Sequence, residues 1–122
     1  RRANEVNVEM SKYVVDRVQA DNEGSLARKS VLVVGIAYKP NVADVRETPA
    51  ELVIQELKKA GAKVTWTDDL VNSWMGEPST PLGGSDIAVV VTLHSVTDPV
   101  AVLKSAPYVF DTTGKVKGAN SL

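Results

Sequence analysis

The segment from Ala37 to Glu47 gathers groups that suit a phosphorylated ligand: an ammonium at Lys39, a guanidinium at Arg46 and an aromatic ring with a polar tip at Tyr38. It runs into Thr48-Pro49-Ala50-Glu51, which reads as a helix start with Thr48 at the N-cap, proline at the first helical position and Glu51 completing a capping box. The free N–H groups of such a start favour an anion on their own account. Lysine offers a compact charge and arginine a planar fork, and both match phosphate or ribose oxygens. The opposing reading is that Asp44 and Arg46 brace the loop and that Lys39 is merely solvated. Spacing alone does not choose between the two.

Other chemistries are harder to build from this chain. It has no cysteine, which excludes disulfides, thiolate metal sites and cysteine-based covalent catalysis among these residues. His94 is the single histidine and has no acid or nucleophile beside it in sequence, so a structural or loop role is expected, with no metal site and no catalytic residue assigned. A dinucleotide fingerprint would place glycines where the chain has Ala37 and Lys39 after Gly35, so NAD in the usual pyrophosphate mode is not expected here. Asp68 mimics the ribose-binding acid of that motif, but without the glycines it reads as a turn or cap residue. A receiver domain fails on order, because the acidic pair Asp68-Asp69 follows the second strand and the third strand ends Thr92-Leu93-His94. Trp66 and Trp74 read as packing residues. With 14 basic and 15 acidic side chains the net charge is −1, which argues against nucleic acid as a partner. The apolar runs are too short to span a membrane, and a cytoplasmic setting is expected.

The elements that must position the loop follow from periodicity. At 122 residues the prior is one compact domain. Residues 1–22 read as a helix whose apolar stripe is Val6, Met10, Tyr13, Val14 and Val18, followed by a stop at Asp21-Asn22-Glu23-Gly24-Ser25. That stripe needs a cover from the following domain, a preceding domain or a second subunit. Val31 to Ile36 is an aliphatic run of the kind buried on both sheet faces. The helix from Thr48 places Leu52, Val53 and Leu57 on its buried side and stops at Gly61; Lys63 to Thr67 then alternates as a half-buried strand. Residues 70–84 read as loop, Ile87 to Val91 as a third strand, Asp98-Pro99 as the start of a short helix, and Tyr108 to Phe110 as a fourth strand. The tail from Gly114 reads as loose. This alternation predicts an α/β fold, a small Rossmann-like domain with a parallel sheet flanked by helices.

The run Lys29 to Ala50, and above all Gly35-Ile36-Ala37-Tyr38-Lys39-Pro40-Asn41 with Asp44, Arg46, Thr48 and Pro49, resembles the opening of the C-terminal, UDP-binding domain of the UDP-glucose/GDP-mannose dehydrogenase family. The likeness is specific because the polar loop residues coincide. Gly61-Ala62-Lys63-Val64 with Asp68, Ser85-Asp86 before the third strand, and Val109-Phe110-Asp111-Thr112 are similar to later parts of the same domain, and residues 1–23 to the tail of its central, dimerising helix. The resemblance implies a domain division at 1–23 and 24–122, a homodimer in the full-length protein, and an NAD-dependent enzyme that oxidises the C6 alcohol of a UDP-hexose or UDP-N-acetylhexosamine to a uronate for cell-surface polysaccharide. NAD and the catalytic cysteine would belong to other parts of that enzyme, leaving this polypeptide with binding groups and no chemistry of its own. By the resemblance, Tyr38 and Lys39 contact the UDP-sugar and Arg46 reaches to NAD. One departure stands out: Thr113 occupies the place where the family usually has a substrate-gripping arginine, which leans the substrate toward an N-acetylhexosamine nucleotide. The competing reading is a stand-alone, non-catalytic nucleotide-binding or regulatory module.

Overall fold

The aliphatic run is a central strand. The structure is a computed structural model that describes residues 8–45 and 48–121. In it Ser30–Val34 forms β1, paired in parallel with Lys63–Thr67 (β2) on one side and Ile87–Val90 (β5) on the other. Tyr108–Asp111 (β6) follows β5, and Asn120–Ser121 (β7) closes the sheet, giving the order β2-β1-β5-β6-β7 with every pairing parallel. Ser73–Trp74 (β3) and Glu77–Pro78 (β4) make a separate antiparallel hairpin.

Alternate side chains of the central strands enter two different cores, which is why their sequences lack polar positions. Val31, Val33, Ile87, Val89 and Phe110 point into the core covered by helices Val8–Asp21 (α1) and Pro49–Lys59 (α2). Leu32, Val34, Ala88, Val90 and Val109 point into the other, beneath the helix Pro99–Leu103 (α3) with Val102 and Val116. The chain steps from β1 to β2 through α2 on one face, and from β5 to β6 in the opposite direction through α3 on the other. Opposite steps on opposite faces share one crossover hand.

Both predicted helix caps are present. Thr48 Oγ1 accepts from the Ala50 N–H at 3.2 Å, and Asp98 Oδ1 from the Val100 N–H at 3.0 Å. At the far end of α2, the Gly61 N–H donates to Lys58 O at 3.0 Å and the Ala62 N–H to Leu57 O at 3.2 Å, a Schellman closure that places Gly61 at φ +95°. The buried face of α2 is Ala50, Val53, Ile54 and Leu57; Leu52 is only half-buried, so the apolar face lies slightly turned from the predicted one.

The first helix also differs in rotation. Val14, Val15, Val18 and Ser11 are buried, whereas Met10 and Tyr13 are exposed, so the packing face keeps Val14 and Val18 of the predicted stripe but is turned away from Met10 and Tyr13. Val6 lies outside the described residues. Val14, Val15 and Val18 join the core that also holds Ala50, Val53, Ile54 and Leu57 of α2 and the strand residues Val31 and Val33. At its C-terminal end Asp21 accepts from Tyr108 Oη at 2.6 Å, and the Arg17 guanidinium lies 5.4 Å from the centre of the Phe110 ring. Burial, followed by the Asp21 carboxylate, pushes the Tyr108 phenol well above its usual value. Val18→Asp therefore places a carboxylate inside the domain core, and we expect it to cost about 3 kcal/mol or more of stability in a urea melt. An unchanged midpoint would mean that α1 does not pack as described. Association has to be tested at Met10 and Tyr13 instead.

Two segments read as irregular are ordered. Within residues 70–84 the β3–β4 hairpin sets Trp74 edge-on to Trp66, with ring centres 6.2 Å apart at 87°. A hollow of about 230 Å³ lies between this hairpin and α2. The tail forms β7, with Val116 buried and Asn120 Nδ2 donating to Val109 O at 3.3 Å. A strand as short as β7 has no periodicity of its own to reveal it.

Candidate functional site at the carboxyl edge of the sheet

In a sheet of this order the chain turns one way from β1 to β2 and the other way to β5, so the crevice for a ligand lies beyond the ends of β1 and β5. Gly35 stands there at φ +86°. A Cβ on it would lie 1.9 Å from the carbonyl oxygen of Thr92, just past the end of β5. This glycine thus serves the close approach of two backbones at the switch point.

Beyond Gly35 the loop is fixed at several points. The buried Ile36 and Ala37 donate their N–H groups to Asp68 Oδ2 at 2.9 and 3.1 Å, and Thr92 Oγ1 donates to Ala37 O at 2.9 Å. The Tyr38 N–H donates to Asp44 O at 2.6 Å, closing the outer part of the loop on itself. Asn41, at φ +66°, donates its N–H to His94 Nδ1 at 2.7 Å and accepts from the Ser95 N–H on its side-chain oxygen at 2.8 Å. Tyr38 is half-buried and Lys39 exposed. Among the described residues Lys39 makes no ion pair, leaving its ammonium open to an anion at this edge. The loop thus brings Tyr38 and Lys39 together, while Arg46 lies outside the described residues.

Asp68 is the hub of the anchorage. Its Oδ1 accepts from the Leu70 N–H at 2.8 Å, the local turn expected of it, and also meets His94 Nε2 at 2.9 Å. Both side chains are almost wholly buried. Asp68 and His94 are far apart in sequence, and each looked isolated there. The signal that could have joined them is topological: each stands just past the end of a strand adjacent to β1, so the β1 loop must pass between them.

The same geometry tests whether this crevice suits NAD in the pyrophosphate mode. Gly35 is committed to Thr92, and the next positions carry Ala37 and Lys39 instead of glycines. Both Asp68 oxygens are engaged by backbone N–H groups and by His94, leaving the carboxylate spoken for before any ribose hydroxyl arrives. The described residues do not fit a dinucleotide held that way.

At the end of β6, Asp111 is buried and closes a turn. Its Oδ1 accepts from Thr113 N–H at 2.8 Å and Thr113 Oγ1 at 2.7 Å, and its Oδ2 from the Val116 N–H at 2.9 Å. Thr113 Oγ1 also accepts from the Lys115 N–H at 3.2 Å. The hydroxyl at this position is spent on the turn. Among the described residues no three His, Cys, Asp or Glu side chains come together as a metal site, and no helix is long and apolar enough to cross a membrane.

Residues 32–118 match the model of the UDP-glucose/GDP-mannose dehydrogenase family, UDP binding domain. A UDP-N-acetyl-D-mannosamine dehydrogenase of Methanococcus maripaludis is 35% identical over 98 residues, spanning 77% of this chain and 23% of the relative. A UDP-glucose 6-dehydrogenase of Rhizobium meliloti is 36% identical over 63 residues, 52% of this chain and 14% of the relative. Among solved structures, the UDP-N-acetyl-mannosamine dehydrogenase of S. aureus superposes with a TM-score of 0.71 at 24% identity, covering 93% of this chain and 29% of that one. The chain therefore matches about a quarter of the length of the M. maripaludis and S. aureus proteins and 14% of the R. meliloti one.

Proposed function

We propose a function from one premise: this chain belongs to the UDP-glucose/GDP-mannose dehydrogenase family, as its UDP binding domain. It is the part that holds the nucleotide sugar in an NAD-dependent dehydrogenase, which oxidises the C6 alcohol of a UDP-hexose or UDP-N-acetylhexosamine to a uronate for cell-surface polysaccharide. NAD is held mainly by another domain of that enzyme, with Arg46 reaching toward it. The observation that carries this reading is the loop at the switch point, which presents the Lys39 ammonium, without an ion pair among the described residues, and the half-buried Tyr38 ring at the edge where such sheets bind ligands. Lys39 neutralises the diphosphate and Tyr38 packs or bonds beside it.

Within that class the N-acetylhexosamine nucleotides are favoured. Thr113 is turned back onto Asp111 and offers no guanidinium to the sugar, and the M. maripaludis relative is named for UDP-N-acetyl-D-mannosamine. Calorimetric titration of the chain with UDP-N-acetylmannosamine, UDP-glucose and uridine diphosphate tests both points. Lys39→Ala is expected to weaken each ligand by roughly ten- to a hundredfold, the worth of one charge-assisted contact. Unchanged affinities in that variant would remove Lys39 from the site.

The proposed division assigns residues 1–23 to the family's central-helix segment and 24–122 to the UDP-sugar-binding domain, in an enzyme proposed to be a homodimer. Support for association through α1 is limited to its outward face, where Met10 and Tyr13 are 40% and 50% exposed. In the full-length protein, light scattering of a variant carrying Met10→Asp and Tyr13→Asp should show a lowered mass with folding intact. A dimer of unchanged mass would place the interface elsewhere.

A further inference from the structure

We infer that His94 is a positioning residue for the nucleotide-sugar loop, acting as a neutral imidazole that links Asp68 to the backbone of Asn41. The inference rests on the reading of Tyr38 and Lys39 as substrate contacts. Its grounds are geometric. His94 Nδ1 receives a backbone N–H from Asn41 at 2.7 Å, and an amide nitrogen in that position can only donate. Nδ1 must therefore present its lone pair. The ring proton then sits on Nε2, where it donates to Asp68 Oδ1 at 2.9 Å. Asp68 is itself held by the N–H groups of Ile36, Ala37 and Leu70. One carboxylate thus fixes the root of the loop directly and its outer turn through the imidazole.

Lys39 sits between these two attachments, two residues beyond Ala37 and two before Asn41. The Ser95 N–H adds a second tie at Asn41, and the bond between Tyr38 N–H and Asp44 O carries the constraint across the turn. An imidazole is well suited to the task because it has one donor and one acceptor at a fixed separation. With Nδ1 occupied by Asn41 and Nε2 by Asp68, His94 is left with no ring nitrogen for proton transfer to a ligand, which separates positioning from catalysis. A loop fixed before the ligand arrives loses less conformational freedom on binding.

Two substitutions divide the ring's functions. His94→Asn keeps an acceptor close to the place of Nδ1 and loses the reach to Asp68; His94→Gln keeps a donor near Nε2 and loses the acceptor. Ring-nitrogen NMR with coupling across the Asn41–His94 bond applies to the wild type, and hydrogen exchange of the Asn41 amide and uridine diphosphate affinity apply to the wild type and both variants. The wild type should show its proton on Nε2 and a coupling between Asn41 N and His94 Nδ1. His94→Gln, which leaves the Asn41 N–H without its acceptor, should exchange at Asn41 and release uridine diphosphate about five- to tenfold more readily, while His94→Asn, which keeps that acceptor and loses only the tie to Asp68, should lose about two- to threefold on both. Melting temperatures should fall in both variants and do not discriminate. A proton on Nδ1 or a missing coupling in the wild type overturns the inference even if neither variant folds. Equal losses in the two variants also overturn it, since they would mean that His94 only fills space. If uridine diphosphate binds none of the three proteins while the exchange contrast persists, the substrate reading falls and the anchoring of Asn41 by His94 stands.

Discussion

Gly35→Ala is expected to remove a large share of the stability of the domain. The added methyl group would lie 1.9 Å from the Thr92 carbonyl oxygen and 2.6 Å from its carbon, and both are backbone atoms of a strand end that is hydrogen-bonded to β1. The Val91 and Thr92 N–H groups donate to Val34 O at 2.9 and 3.3 Å, so neither side of the contact can withdraw without breaking the central pairing. The backbone conformation at φ +86° adds its own cost for any residue with a Cβ. Strain and overpacking together should remove about 3–5 kcal/mol, a large share of the ~5–15 kcal/mol available to a domain. Circular dichroism and a urea melt check this. A cooperative transition at the wild-type midpoint would show that Thr92 does not approach Gly35 as described.

Asp68→Asn is the second large effect, although it preserves shape and volume. The carboxylate accepts at four places: the N–H groups of Ile36, Ala37 and Leu70, and His94 Nε2. An amide in its place turns one acceptor end into a donor, which then faces other donors inside the protein. Whichever way the amide is oriented, at least one end of the network is broken. Hydrogen bonds to a charged group are worth about 1.5–3 kcal/mol each, so the variant should lose about 3 kcal/mol or more. With a slope of ~1–2 kcal/mol/M that lowers the urea midpoint by roughly 2 M. Binding should weaken as well, because the loop carrying Tyr38 and Lys39 loses the attachment at its root. A normal melt accompanied by weak ligand binding would instead assign Asp68 a direct contact with the ligand.

Sequence alone determined the parallel α/β architecture, since it depends on local signals that coincide. Continuous aliphatic runs at Val31 and Ile87, the proline-bearing caps at Thr48 and Asp98, and the stop at Gly61 each mark an element by itself, and their alternation leaves one fold class. The loop that carries Tyr38 and Lys39 was legible for the same reason: its polar residues are consecutive in the chain. Tertiary structure decided everything that depends on what a side chain meets. The rotation of α1 turned on which surface it covers, which buries Val14, Val15 and Val18 in the core shared with α2 and leaves Met10 and Tyr13 outward. The tail became strand β7 only because β6 offered it an edge. The Asp68–His94–Asn41 connection joins ends of neighbouring strands and the loop between them, and no periodicity records such a meeting. Strand order β2-β1-β5 alone brings these residues together, because pairing in a sheet is set by backbone hydrogen bonds and buried faces between segments distant in the chain.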